Sequence, residues 1–173
     1  MYYRLWLGSG IRPPRTIPLG PNKVYEQMAV QTRSLVDGVD NVVGALANVI
    51  ALLKEEMTCF FWVGFYIVKD GCLQLGPFQG PVACYSIEKG RGVCGTAWAK
   101  AQTLVVPDVH RFPGHIACSS QSNSEIVVPV INGDEVVAVI DVDSEDFDAF
   151  DDDDKRGLES IGRIVAPLLA MGY

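Results

Sequence analysis

Three cysteines stand in distinctive local settings: Cys84 in Gly80-Pro81-Val82-Ala83-Cys84, Cys94 in Gly90-Arg91-Gly92-Val93-Cys94-Gly95-Thr96, and Cys118 in Gly114-His115-Ile116-Ala117-Cys118-Ser119-Ser120. None belongs to a Cys-x-x-Cys pair, the spacing of zinc ribbons and thioredoxin-type dithiols. The chain has five cysteines, an odd count that excludes a fully paired disulfide framework in a monomer. Spaced thiols in a reducing compartment point to reactivity more than to bridges, so thiol chemistry is the first reading.

Local physics does not rank these thiols. Cys94 falls at the start of an expected helix, two residues past Gly92 and near Arg91, a setting that lowers a thiol pKa. Cys118 follows His115 by three residues, and that imidazole could stabilise a thiolate or orient a reactant. Cys84 has no evident activator and would be a resolving partner. A zinc site from Cys84, Cys94, Cys118 and His115 lacks the close ligand pair that nucleates such sites. Gly90-Arg91-Gly92 is too short for a phosphate-binding P-loop and lacks the following Lys-Ser or Lys-Thr. Cys59 and Cys72 sit in strand-like contexts and read as structural, and His110 reads as a loop or packing residue.

A second group is acidic. Period-2 alternation over 135–143 puts Glu135, Val137, Val139, Asp141 and Asp143 on one strand face and Val136, Ala138, Ile140 and Val142 on the other. Asp141 and Asp143 then share a space, and Glu125, opening the partner strand, is brought to the same end by hairpin pairing. Like charges held together and partly desolvated raise a carboxyl pKa, which keeps a proton donor available near neutrality. The alternative is that these carboxyls end a strand and meet water. Trp62 and Tyr66 share a face with Phe60 and Gly64, opposite Phe61, Val63, Phe65 and Ile67. Such a stripe is either core or one wall of a pocket, and a wall facing carboxylates would suit an ammonium-bearing ligand.

The elements that must position these groups follow from periodicity and punctuation. Val24, Met28, Gln31 and Leu35 recur at helical spacing. Asp40 can cap a second helix carrying Val42, Val43, Leu46, Val49, Ile50 and Leu53. Strands are expected over 60–68 and 72–78 around Asp70-Gly71, then over 83–87, and a helix over 93–100. A strand over 103–106 leads into a long loop, 107–124, of the length that is usually functional or disordered. Strands 125–131 and 135–142 join at Asn132-Gly133, a type I′ signal, with Pro129 marking an edge or a bulge. A final helix carries Leu158, Ile161, Val165 and Leu168 on one face, and the acidic run 151–154 suits its N-terminus. That run lacks the glycine and distal glutamate of an EF-hand loop.

The order of elements predicts an α+β fold, a central antiparallel sheet packed by N-terminal and C-terminal helices. At 173 residues one domain is expected, long enough to form a core without disulfide staples. A net charge of −7 argues against nucleic acid as a partner. No apolar run reaches the roughly 20 residues of a membrane span. The opening stretch, with Pro13, Pro14 and Pro18, lacks the apolar core of a signal peptide and reads as an extended, flexible arm over 1–21, ahead of the domain over 22–173. The cytoplasm is the expected compartment.

At these residues the chain resembles the free methionine-(R)-sulfoxide reductases, a family built on a stand-alone GAF domain. The resemblance runs over about 24–169. It is carried by Trp62-Val63-Gly64-Phe65-Tyr66, Gly76-Pro77-Phe78-Gln79-Gly80, Ala83-Cys84, Gly90-Arg91-Gly92-Val93-Cys94-Gly95, Asp108-Val109-His110, Gly114-His115-Ile116-Ala117-Cys118, Ser124-Glu125-Ile126-Val127 and Asp141-Val142-Asp143-Ser144, in that order. Ala138-Val139-Ile140 replaces the more usual Gly-Val-Leu, a change of packing.

The resemblance implies a GAF-like single domain and the reduction of free L-methionine-(R)-sulfoxide. It implies Cys118 as nucleophile, Cys84 as principal resolving thiol and Cys94 as a second or alternative one. Trp62 and Tyr66 would line the pocket. Glu125, Asp141 and Asp143 would hold the substrate's polar groups and assist at the sulfoxide oxygen, and backbone around Ile116 and Ala117 would orient the ligand. The implied partners are free methionine sulfoxide and a thioredoxin-type reductant, with a homodimer as an allowed assembly. No metal or organic cofactor is required. Two other classes remain in view: a GAF small-molecule sensor and a thiol redox switch.

Overall fold

Residues 21–116 and 120–170 are described by a computed structural model. Of the expected arm over 1–21, residues 1–20 lie outside the described residues, as do Ala117 and Cys118, while Pro21 opens the first helix. The elements are α1 (Pro21–Val36), α2 (Val42–Glu56), β1 (Trp62–Lys69), β2 (Cys72–Gln79), β3 (Ser86–Glu88), α3 (Gly92–Lys100), β4 (Leu104–Val106), a short 3-10 helix (Val109–Arg111), β5 (Ser124–Asn132), β6 (Glu135–Ser144) and α4 (Asp152–Ala170). The six strands form one antiparallel sheet in the order β3-β2-β1-β6-β5-β4. This is the α+β arrangement the pattern predicts.

The central pair β1–β6 joins two hairpins. Asp70 and Gly71 turn β1 into β2 with φ of 53° and 79°, the left-handed pair that a type I′ turn needs. The β5–β6 turn falls one residue later than expected, because Asn132 pairs with Glu135 and leaves Gly133-Asp134 at the tip. Beside it Val130 opposes Ala138 while Ile131 opposes Val136, so Val137 bulges out of register. The bulge reverses the expected faces locally. Val136 packs with Val139 on one side of the sheet, and Val137 packs with Ile140 on the other. Asp141 and Asp143 lie beyond the bulge and keep the expected alternation. Pro129 sits past the end of β4, which pairs with β5 only as far as Val127, so β5 is an edge there.

One sheet face is covered by helices. α2 lies over β1 and β2, α4 over β5 and β6, and α1 packs on α2 and α4 outside them. The core between them is apolar: Met28, Leu46, Ile50, Leu53, Phe65, Ile126, Ile140, Leu158 and Ile161 are fully buried. The buried stripe of α1 runs through Tyr25, Met28 and Thr32, not Gln31, which is exposed. Asn41, not Asp40, caps α2, its side chain accepting from the Gly44 N–H at 3.0 Å, because the helix starts one residue later than expected. Val43 is exposed, and Ala45 takes its place on the buried stripe. Asp151 caps α4 reciprocally: its Oδ1 accepts from the Asp153 and Asp154 N–H groups, and its own N–H donates to Asp154 Oδ2.

Phe60 and Phe61 exchange the faces assigned to them. Phe60 is buried among the helices, and Phe61 packs beside Trp62. Both precede the first paired residue of β1, so strand alternation does not govern them. Cys59 is exposed in the turn before β1, outside the strand assigned to it. The other sheet face is covered by α3 and the connecting segments, and it carries the site.

Candidate active site

Three neighbouring strands build the floor by register. Trp62 of β1, Asp143 of β6 and Glu125 of β5 stand in one cross-strand row, and Gly64, Asp141 and Val127 form the next. Residues opposed in this way project from the same face. Ile140 and Val142, which alternate with the aspartates, point into the helix-covered core. The alternation that makes β6 half of a hydrophobic core therefore also aims two carboxyls the other way.

Trp62 depends on two glycines. A Cβ on Gly64 would lie 2.4 Å from the indole Cη2, and one on Gly80, whose φ is +137°, would lie 2.5 Å from Cδ1. With both absent, the indole lies between Phe78 and Tyr66, with ring centroids 5.4 and 6.0 Å away. Its Nε1 donates to the Pro81 carbonyl at 3.0 Å, and the Tyr66 hydroxyl donates to the Cys84 carbonyl at 3.1 Å. These two bonds tie the 81–84 segment to β1.

These groups surround a narrow cavity of about 40 Å³, lined by Trp62, Tyr66, Cys94, Ile116, Glu125, Asp141 and Asp143, with Val82, Ala83, Arg91, His115 and Ser122 among its other walls. It has room for a few water molecules. Seven of the ten residues assigned to the site meet here. Cys84 is half-buried against the same cluster but just outside the lining, and Ala117 and Cys118 lie outside the described residues.

The electrostatics follow from burial. Desolvation, then the charges of Asp141 and Asp143, push the Glu125 carboxyl well above the ordinary carboxyl range. Desolvation and Asp143 do the same to Asp141. Asp143 is raised to about 6 by burial, against an opposing hydrogen bond from Ser122. Burial and mutual repulsion thus favour the protonated forms of Glu125 and Asp141 beside Asp143, which ionises at about 6, so the cavity is built to offer a proton donor next to an anion. His115 Nε2 lies 3.8 Å from Glu125 Oε2, and burial, then His110, lowers its pKa, which keeps the ring neutral.

Cys94 corrects an expectation. It does begin α3, but burial, then Asp141 and Glu125, drives its thiol pKa up, and its Sγ faces Glu125 Oε1 at 3.9 Å. Arg91, the expected activator, is exposed. The helix terminus and the arginine are outweighed by desolvation beside acids.

The sequence between 40 and 169 matches the GAF domain family model. The chain is 42% identical over 152 residues to free methionine-R-sulfoxide reductase of Escherichia coli, covering 88% of this chain and 92% of that protein. The chain belongs to the free methionine-R-sulfoxide reductase family. An X-ray structure of free methionine-R-sulfoxide reductase from Neisseria meningitidis, in complex with its substrate, superposes with a TM-score of 0.82 at 45% identity, over 86% of this chain and 90% of that one. GAF domain-containing protein A of Dictyostelium discoideum is 51% identical over 142 residues, covering 82% of this chain and 89% of that protein.

For this member of the reductase family, the sequence left Ser122, Val82 and Ile87 out of the site. Ser122 reaches Asp143 from a loop whose path no periodicity describes. Val82 was visible only as a neighbour of Cys84. Ile87 alternates with exposed residues in β3, a pattern that marks it as buried without saying against what.

Proposed function

We propose that the chain reduces free L-methionine-(R)-sulfoxide to methionine, with Cys118 as nucleophile. The observation that carries this reading is the meeting of three carboxyls, two of them buried, and a stacked Trp62–Tyr66 wall in one cavity. Asp143, the carboxyl that ionises first, would hold the substrate's ammonium, and the aromatic wall would take its methyl and sulfur end. Backbone around Ile116 and Ala117 would orient it. Admitting an amino acid requires the cavity to widen, and Val82, 88% exposed, stands at its mouth.

In the chemical step the Cys118 thiolate attacks the sulfoxide sulfur while Glu125 or Asp141 protonates the departing oxygen. The oxygen passes to Cys118, which is oxidised to a sulfenic acid as the substrate sulfur is reduced by two electrons, and methionine leaves. The Cys84 thiol then attacks the sulfenic sulfur, water departs and a disulfide forms, with Cys94 as a second or alternative resolving thiol. A thioredoxin-type dithiol restores both thiols by exchange and becomes a disulfide itself. A cytoplasmic location fits a cycle that consumes such a dithiol.

Incubating the purified chain and a dithiol with each epimer of methionine sulfoxide tests the proposal. Methionine should form from the R epimer alone. Binding without turnover would instead make this GAF domain a sensor. Thiol oxidation by peroxide but not by sulfoxide would make it a redox switch.

A further inference from the structure

The reduction cycle leaves the placement of Cys94 unexplained: a resolving thiol gains nothing from burial against two carboxyls. Cys94 Sγ, a Glu125 oxygen and an Asp141 oxygen all lie within 4.8 Å of one another, the one such group of three potential metal ligands among the described residues. Asp141 is only 7% exposed, and its Oδ1 is buried without a hydrogen-bond partner. An unpartnered acceptor facing a cavity signals a missing donor or cation.

We propose that Cys94, Glu125 and Asp141, with His115 as fourth ligand, form a binding site for a zinc-class divalent cation that competes with the substrate. One sulfur, two oxygens and one imidazole nitrogen suit a borderline-soft ion taking four ligands. Calcium and magnesium, which take about six or more oxygens, do not fit a set built on a thiol. The spacing agrees as well. Bonds of about 2.0 Å to oxygen and 2.3 Å to sulfur at a tetrahedral centre separate those ligands by about 3.5 Å. Cys94 Sγ stands 3.9 Å from Glu125 Oε1, within a few tenths of an ångström of that spacing. His115 Nε2 stands 3.8 Å from the other Glu125 oxygen, outside the close group of three, so the ring has to swing inward to complete the shell.

The cavity of about 40 Å³, too narrow for an amino acid as it stands, has room for an ion and a water. Binding exchanges protons for metal without redox change: the thiol proton and any carboxyl proton leave to solvent as the ligand bonds form. The occupied site would hold the carboxyls that the proposed reaction needs, and so would block it. That competition rests on the proposed function, whereas cation binding does not.

The test is titration of the reduced full-length chain with Co²⁺, read by thiolate-to-cobalt charge-transfer absorption, followed by displacement with Zn²⁺. One cobalt per chain should give the band. Cys94→Ala should abolish it, Asp141→Asn should weaken binding tenfold or more, and Cys59→Ala should leave it unchanged. Absence of a thiolate band, or a band that survives Cys94→Ala, overturns the site. Should Cys94→Ala lose its native near-UV circular dichroism, Asp141→Asn decides, and unaltered cobalt affinity in that variant overturns it. Methionine-(R)-sulfoxide should displace the cobalt, and Zn²⁺ at ten times its Kd should raise the apparent KM about tenfold. Failure to displace, or an unchanged KM, refutes the competition. A chain without reductase activity that still gives the band would refute the proposed function and keep the site.

Discussion

The two faces of the sheet are made by the same strands and obey opposite rules. Toward the helices, Ile126, Val128, Ile140 and Val142 meet α2 and α4 in an apolar core. Toward α3, the residues next to them on the same strands are Glu125 and Asp141, also buried, and the partly buried Asp143, surrounded by Trp62, Tyr66 and Cys94. Burial stabilises the first group and penalises the second, because a carboxyl taken from water keeps its proton or destabilises the fold. One face thus holds the molecule together so that the other can hold an unfavourable cluster in place.

The largest effect expected belongs to the second face. Cys118→Ser should lower the rate of methionine formation by three orders of magnitude or more, since a hydroxyl cannot accept oxygen as a sulfenic acid. Steady-state assays with the R epimer check this, and near-normal activity would remove the assigned nucleophile.

Neighbouring positions on β6 separate the faces directly. Ile140→Ala should cost about 4 kcal/mol of unfolding free energy, as expected for a fully buried large-to-small change. Asp141→Asn should leave stability at neutral pH unchanged or improved while depressing activity. Urea melts and R-sulfoxide turnover on both variants measure the two effects. Greater destabilisation by Asp141→Asn than by Ile140→Ala would show that the two faces do not have opposite roles.

A smaller effect is spread over pH. Asp143 titrates at about 6 in the folded chain, above an ordinary aspartate near 4. Between those values the unfolded chain releases a proton that the folded one keeps, so stability must fall as pH rises from about 4 to 6. The loss is on the order of 2–3 kcal/mol. Glu125 and Asp141, raised further, extend the fall to higher pH. Asp143→Asn should flatten the lower part of the curve alone, and an unchanged slope would show that Asp143 is not desolvated in solution.

Where local pattern and tertiary contact agreed, the sequence was legible. Strand alternation in β6 correctly separated Asp141 and Asp143 from Ile140 and Val142, and Asp70-Gly71 marked its hairpin. Alternation misled where no ladder enforces it, at Phe60 and Phe61 before β1, and where a bulge resets it, at Val136 and Val137. On α1 only Gln31 left the expected stripe, with Thr32 buried instead, while Val24, Met28 and Leu35 pack on the core as expected.

What the chain by itself determined was the inventory: two hairpins, four helices, an acidic strand end, an aromatic strand and thiols set apart from one another. Those follow from short-range periodicity and turn chemistry, which each segment carries alone. Only the tertiary structure decided the state of Cys94. Its helix-start position argues for a lowered thiol pKa, yet its neighbours in space are Glu125 and Asp141, separated from it by 31 and 47 residues of chain. Desolvation and through-space charge depend on three-dimensional distance, and that distance is set only when β5, β6 and α3 close on one another.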